Sequence, residues 1–279
     1  MRMVTVLLLA ALLTAAGLTG PALARTAPLV TAKEVYLVDV TSGTVQFAKR
    51  ETRRAPVASL TKIMTAYVVR HSASLDDVVT VSRADVRHAA SSGATRAGLR
   101  AGERLTVRDL LYALLLPSGA DASNALARRY GPGVQRFVAK MNRAAAALGL
   151  RDTVYTNPDG LPQTGGDHST ARDQVALARI VLKDPVIAAV VRTPRHAVTR
   201  TGAHRAHAWH NTNRLLPGEA EGLKTGYTRA AGYCLMFVSV VGGHTMVGVL
   251  LGDTSDAARY RTARRLLTTA TARAAPRDV

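Results

Sequence analysis

The spacing of apolar residues changes from strand-like to helical and back along this chain. Val35 to Asp39 and Val45 to Lys49 are short β-prone runs joined by Thr41-Ser42-Gly43-Thr44, a composition that predicts a hairpin. Near the other end, Tyr233 to Val241 and Met246 to Leu251 flank Gly242-Gly243 and predict a second hairpin. Between the hairpins the period is helical: Ser59 to Val69 after Pro56, Val107 to Leu116, Asp121 to Tyr130, and Val134 to Leu148, which Gly149 stops. Thr170-Ala171-Arg172-Asp173 has the form of a capping box with Asp in the Glu position and opens a helix to about Leu182. Asp256 to Ala274 is a basic helix, with Pro276 to Val279 as a frayed tail. Ala90 to Gly98 and Asp152 to Gly166 show no period and read as loops.

Strands at both ends with helices inserted between them predict an α+β fold, an antiparallel sheet built from both chain ends, flanked by helices and carrying a mainly helical lobe. Residues 25–279 form a single domain in this scheme, with approximately 25–75 and 210–279 as the sheet lobe and 76–209 as the mainly helical lobe.

Residues 1–24 have the pattern of a secretory signal: Arg2, an apolar run from Val4 to Ala16, then Ala22-Leu23-Ala24 as a small-x-small cleavage site. No later stretch is long and apolar enough to span a bilayer. The working chain is therefore expected outside the cytoplasmic membrane, secreted or peripherally attached to wall or membrane. A formal charge of +18 favours anionic partners, and in that location these are wall polymers or membrane head groups and not nucleic acid. Cys234 is the sole cysteine, so no intramolecular disulfide forms, and its apolar surroundings predict an inert buried thiol.

Ser59-Leu60-Thr61-Lys62 puts a hydroxyl and an amine three residues apart at a helix start, on one face. A serine becomes a useful nucleophile when a base takes its proton, and a lysine deprived of water can be that base. Lys224-Thr225-Gly226, ahead of the Tyr233 strand, offers an extended peptide backbone groups, a hydroxyl and an ammonium for a carboxylate, and a glycine that permits close approach. Arginines outnumber lysines 31 to 6, so a lysine inside both motifs marks positions where a compact amine is needed. Ser118-Gly119, after Pro117, sits between two helices, where a hydroxyl can relay a proton.

Those three motifs, in that order and spacing, resemble the penicillin-binding D-alanyl-D-alanine carboxypeptidases of the serine β-lactamase-like fold. The similarity extends to Asn157-Pro158-Asp159-Gly160-Leu161-Pro162, His168-Ser169-Thr170-Ala171 and Gly222 to Cys234. It implies a penicillin-binding transpeptidase-like catalytic domain and a serine peptidase that removes the terminal D-alanine from peptidoglycan stem peptides, with β-lactams as covalent inhibitors. By the same resemblance, Ser59 is the nucleophile, Lys62 its base and Ser118 a proton relay. Lys224, Thr225 and Gly226 bind substrate, and the backbone N–H groups of Ser59 and Tyr227 form the oxyanion hole. No cofactor is implied. The family's second motif usually ends in Asn; Ala120 stands here instead and removes an amide that would contact substrate and Lys62.

Related alternatives are a DD-endopeptidase or transpeptidase and a class A-like β-lactamase, though none of the five glutamates falls where a β-lactamase loop glutamate would. An alternative of another class is a non-catalytic wall-associated binder of stem peptides or β-lactams. His196, His204, His207 and His210 gather near the third motif, but strand context sends residues three apart to opposite faces, so a polar, solvated loop or hairpin is expected and not a metal site.

Overall fold

The computed structural model describes residues 29–91, 94–162 and 166–274. The signal segment 1–24, the tail Pro276 to Val279 and parts of the two expected loops lie outside the described residues.

β1 (Glu34–Asp39) and β2 (Val45–Lys49) form the first hairpin, with Tyr36 opposite Ala48. Its turn is held by Asp39, whose carboxylate accepts from the amides of Thr41 at 2.9 Å and Ser42 at 3.3 Å. β8 (Gly232–Val241) and β9 (His244–Asp253) form the last hairpin, with Val238 opposite Val247. β9 pairs antiparallel with β1, and β7 (Leu223–Thr228) pairs antiparallel with β8, giving one five-stranded sheet in the order β2-β1-β9-β8-β7. The sheet expected from both chain ends is the one observed.

Both faces of the sheet are covered, which explains why β8 and β9 read as unbroken apolar runs. Leu235 and Phe237 point to one face and pack with Tyr260, Ala263 and Leu266 of α8 (Asp256–Ala274). Cys234, Met236 and Val238 point to the other, joining a core shared with α1 (Thr61–Arg70), α3 (Val107–Leu115), α4 (Ala120–Tyr130), α5 (Val134–Ala147) and α6 (Ala171–Val181). The capping box is as expected: the Thr170 hydroxyl accepts from the Asp173 amide at 3.0 Å and starts α6.

Two helices lie where apolar spacing predicts none. α2 (Arg83–Ser91) is mostly polar; Ser82 and Asp85 cap each other's amides at 2.8 and 3.2 Å, and the buried Asp85 is gripped by Arg128 and Asn124 of α4. Its fixing force is a buried charge network and not an apolar stripe. α7 (Pro185–Arg192) is started by Asp184, whose carboxylate accepts from the amides of Val186 and Ile187. Two small ribbons complete the helical side, β3 (Val78–Thr80) with β4 (Arg104–Thr106), and β5 (Arg195–Val198) with β6 (His207–His210). The histidine-rich stretch forms that last ribbon: His196 stacks on Tyr112 at 3.7 Å and His207 meets Glu103 at 3.2 Å.

Candidate active site

Ser59 sits in a single 3-10 turn, Ala58–Leu60, that runs directly into α1 and places the hydroxyl at that helix's positive end. Ala58 is forced to a φ of 50°, a backbone setting that L residues avoid. Two glycines clamp this turn. A Cβ on Gly160 would come within 1.9 Å of the Ala58 carbonyl oxygen, and one on Gly226 within 3.2 Å of the Ser59 nitrogen, so each strand of backbone approaches as closely as it does for want of a side chain.

Lys62, one turn on, is wholly buried, and its Nζ donates to Ser59 Oγ at 3.0 Å and to the Asp159 carbonyl at 2.6 Å. Burial pushes this ammonium down to about 8, while the carboxylates of Asp159 and Asp121 pull the other way. The loop that supplies the carbonyl is stiff: the Asn157 side-chain oxygen accepts from the amides of Asp159 and Gly160, and the Pro158 carbonyl accepts from Thr65 and Ser123. The buried Asp159 carboxylate meets His88 of α2 at 2.7 Å. That hydrogen bond holds His88 above the usual histidine range; Asp159, pushed up by burial, is brought below the carboxylate range by His88 and Lys62.

Ser118 lies between α3 and α4 at a φ of 65°, with its buried hydroxyl unpaired among the described residues. A left-handed serine with an unsatisfied oxygen facing a cleft is strain kept in place by its surroundings. Ser59, Lys62, Ser118, Thr225, Gly226 and Tyr227 share one cleft of ≈ 260 Å³. Alternation along β7 turns Lys224 and Gly226 toward the helical side and Thr225 and Tyr227 toward α8. Lys224 therefore lies beneath the cleft, fully buried, with Nζ donating to the Thr225 carbonyl at 3.0 Å, and burial lowers it well below the ordinary lysine range, helped by Lys62 and Arg259. The Thr225 hydroxyl is bonded to that of Thr212 at 2.6 Å.

Comparison with known proteins decides the family. The Peptidase S11 family, described as D-alanyl-D-alanine carboxypeptidase, matches over residues 22–255. The chain belongs to that family. The D-alanyl-D-alanine carboxypeptidase of Streptomyces sp. strain K15 is 39% identical, covering 94% of this chain and 95% of that one. DacF of Bacillus subtilis, a D-alanyl-D-alanine carboxypeptidase, is 33% identical over 85% of this chain and 61% of its own. The crystal structure of the Streptomyces K15 DD-transpeptidase superposes with a TM-score of 0.83 at 38% identity, covering 88% of this chain and 99% of that chain. The family consists of extracytoplasmic cell-wall enzymes, and among the described residues no helix is long and apolar enough to cross a membrane.

Several residues that shape this family site carry no motif. Arg259, one arginine among 31, reaches the cleft from α8 and donates to the carbonyls of Gly226 at 3.1 Å and Cys234 at 3.2 Å, with its Nε unpaired. Asp121 accepts from the amides of Ala97, Gly98 and Leu99 at 2.9 to 3.0 Å and so fixes the segment whose Thr95 walls the cleft. Ala120 is fully buried, and its amide donates to the Thr95 carbonyl at 2.9 Å. Asn124 does not stand in for the missing amide, since it is tied to Asp85 at 3.2 Å.

Proposed function

We propose that Ser59 and Lys62 carry out the carboxypeptidase reaction of this family on stem peptides ending in D-Ala-D-Ala. Neutral Lys62 takes the Ser59 proton as Oγ attacks the penultimate carbonyl carbon, while the N–H groups of Ser59 and Tyr227 receive the oxyanion. Collapse of the tetrahedral adduct breaks the C–N bond. The proton held by Lys62 passes through the Ser118 hydroxyl to the departing amine, and D-alanine leaves. Water then attacks the ester, with Lys62 again as base, and Ser59 is restored. Thr225 and Arg259 face the terminal carboxylate, and Lys224 supports the strand from below through its hydrogen bond to the Thr225 carbonyl.

The observation that carries this proposal is the 3.0 Å contact between Ser59 Oγ and a lysine that burial has brought to about 8. A base with that affinity is matched to a neutral medium. Penicillin, which the family binds, is expected to label Ser59 covalently. Release of D-alanine from a stem pentapeptide, lost in Ser59→Ala, is the deciding assay; penicillin labelling without D-alanine release would mark a non-catalytic binder instead.

The Streptomyces relatives bear both names, carboxypeptidase and DD-transpeptidase. A second outcome thus has direct support: an amine competing with water for the same ester. Added glycine or a diamino acid then yields a new peptide in place of the hydrolysis product.

The signal segment 1–24 and the +18 charge support export followed by adhesion to anionic wall polymers or lipid head groups. Adhesion of this kind falls away as salt rises.

A further inference from the structure

A concavity of ≈ 550 Å³ lies apart from the catalytic cleft and is about twice its ≈ 260 Å³ volume. It opens between the second half of α6, the end of α7 and the helix-facing side of the sheet. Val40, Ala176, Ile180 and Leu182 supply its accessible apolar lining, above the fully buried Val238 and Val247. Val238 is four residues along β8 from Cys234, the partner of Gly226, which separates it from the catalytic strand position by roughly 13 Å.

Every charged side chain lining the concavity is a cation: Arg179, Lys183 and Arg192. Arg192 is engaged by Glu221 at 2.9 Å. Arg179 on the last turn of α6 and Lys183, just past the helix end, both line the concavity, and neither meets a carboxylate among the described residues. Asp184, adjacent in sequence, is already occupied by Arg70 at 3.0 Å and by the α7 amides it caps. The floor belongs to β8 and β9, internal strands whose backbone groups are paired on both sides, so an added peptide strand finds no ladder there. An aliphatic chain needs none. The volume falls within the roughly 300–1,000 Å³ of small-molecule sites.

We propose that this groove binds a single-chain anionic amphiphile, a free long-chain carboxylate, with its tail on Val40, Ala176, Ile180 and Leu182 and its head on Arg179 and Lys183. The charge of the rim selects the head group, and the apolar lining selects the tail. The site is independent of Ser59 chemistry, so it stands or falls separately from the catalytic assignment.

The test titrates monomeric dodecanoate into the full chain carrying Ser59→Ala, with dodecyltrimethylammonium as the cationic control and anionic phospholipid vesicles as a separate arm. Saturable one-to-one binding of dodecanoate is expected, at least tenfold tighter than the cationic amphiphile. The exposed pair Arg179→Glu with Lys183→Glu should reverse that preference at an unchanged melting temperature, and Arg179→Gln with Lys183→Gln should abolish it if the reversed pair fails to fold. In the Ser59 background both pairs should retain full D-alanine release. Equal affinity for the two amphiphiles, binding unaffected by either pair of substitutions, or capture by vesicles without monomer binding would each overturn the assignment, the last in favour of a membrane surface.

Discussion

Lys62 and Lys224 suffer the same loss of water, yet their surroundings make them different groups. Lys62 keeps a nucleophile's oxygen and a carbonyl within hydrogen-bond reach, and two carboxylates raise it part of the way back, to about 8. Among the described residues Lys224 has only a carbonyl, and the charges acting on it are cations, so nothing there restores its proton affinity. Burial makes an amine easy to deprotonate; a neighbouring acid tunes it, and a 3.0 Å hydroxyl gives it work. On the proposed mechanism one lysine is the base and the other a support beneath the strand that meets substrate.

The largest test of that contrast removes each amine at similar side-chain length. Lys62→Met should slow penicillin acylation of Ser59 by about 10²–10⁴-fold, the usual weight of a general base. Stopped-flow acylation rates check it, and a loss under tenfold would deny Lys62 the role. Lys224→Met should reduce peptide kcat/KM by up to about tenfold, the weight of one neutral hydrogen bond beneath the strand, while the melting temperature holds or rises because a buried amine is replaced by an apolar chain. A fall in both would make Lys224 a structural strut only.

The third test uses pH. Because Lys62 must be neutral to act, acylation should climb about tenfold per unit below its pKa and level off above about 8. A flat profile from pH 6 to 9 would mean that another group takes the proton.

Far more of the framework than of the tuning was legible in the sequence. The two hairpins, the caps at Thr170 and Gly149 and the three motifs follow from period, turn chemistry and lysine usage. α2 escaped because Asp85, Arg128 and Asn124 hold it through charge, which has no periodic signature. Arg259 escaped for a related reason: one arginine on a basic helix looks like any other until the fold brings it under Gly226. His88 and Asp159 are 71 residues apart, so their contact exists only in three dimensions.

Smaller effects sharpen the same contrast. Ala120 is fully buried, so the larger Ala120→Asn side chain should cost about 1–3 kcal/mol of stability and slow acylation a few-fold. Faster acylation at an unchanged melting temperature would show instead that the cleft still accepts the amide. His88→Gln keeps a donor for Asp159 but removes its positive charge, leaving the carboxylate to act on Lys62 alone. The acylation profile should then move toward higher pH by less than about one unit, with little change in its plateau. A shift toward lower pH would reverse the assigned sign.

The clamp around Ala58 and Ser59 joins segments that are remote along the chain, with Gly160 and Gly226 closing on it from opposite directions. A polypeptide that has not yet brought β7 into place has a serine and a lysine but no dry pocket, so the amine keeps its solution proton and the hydroxyl is inert. On the proposed mechanism, reactivity therefore requires the folded sheet. On the same proposal, covalent penicillin uptake becomes a count of folded molecules, usable to follow refolding or maturation without a separate structural probe.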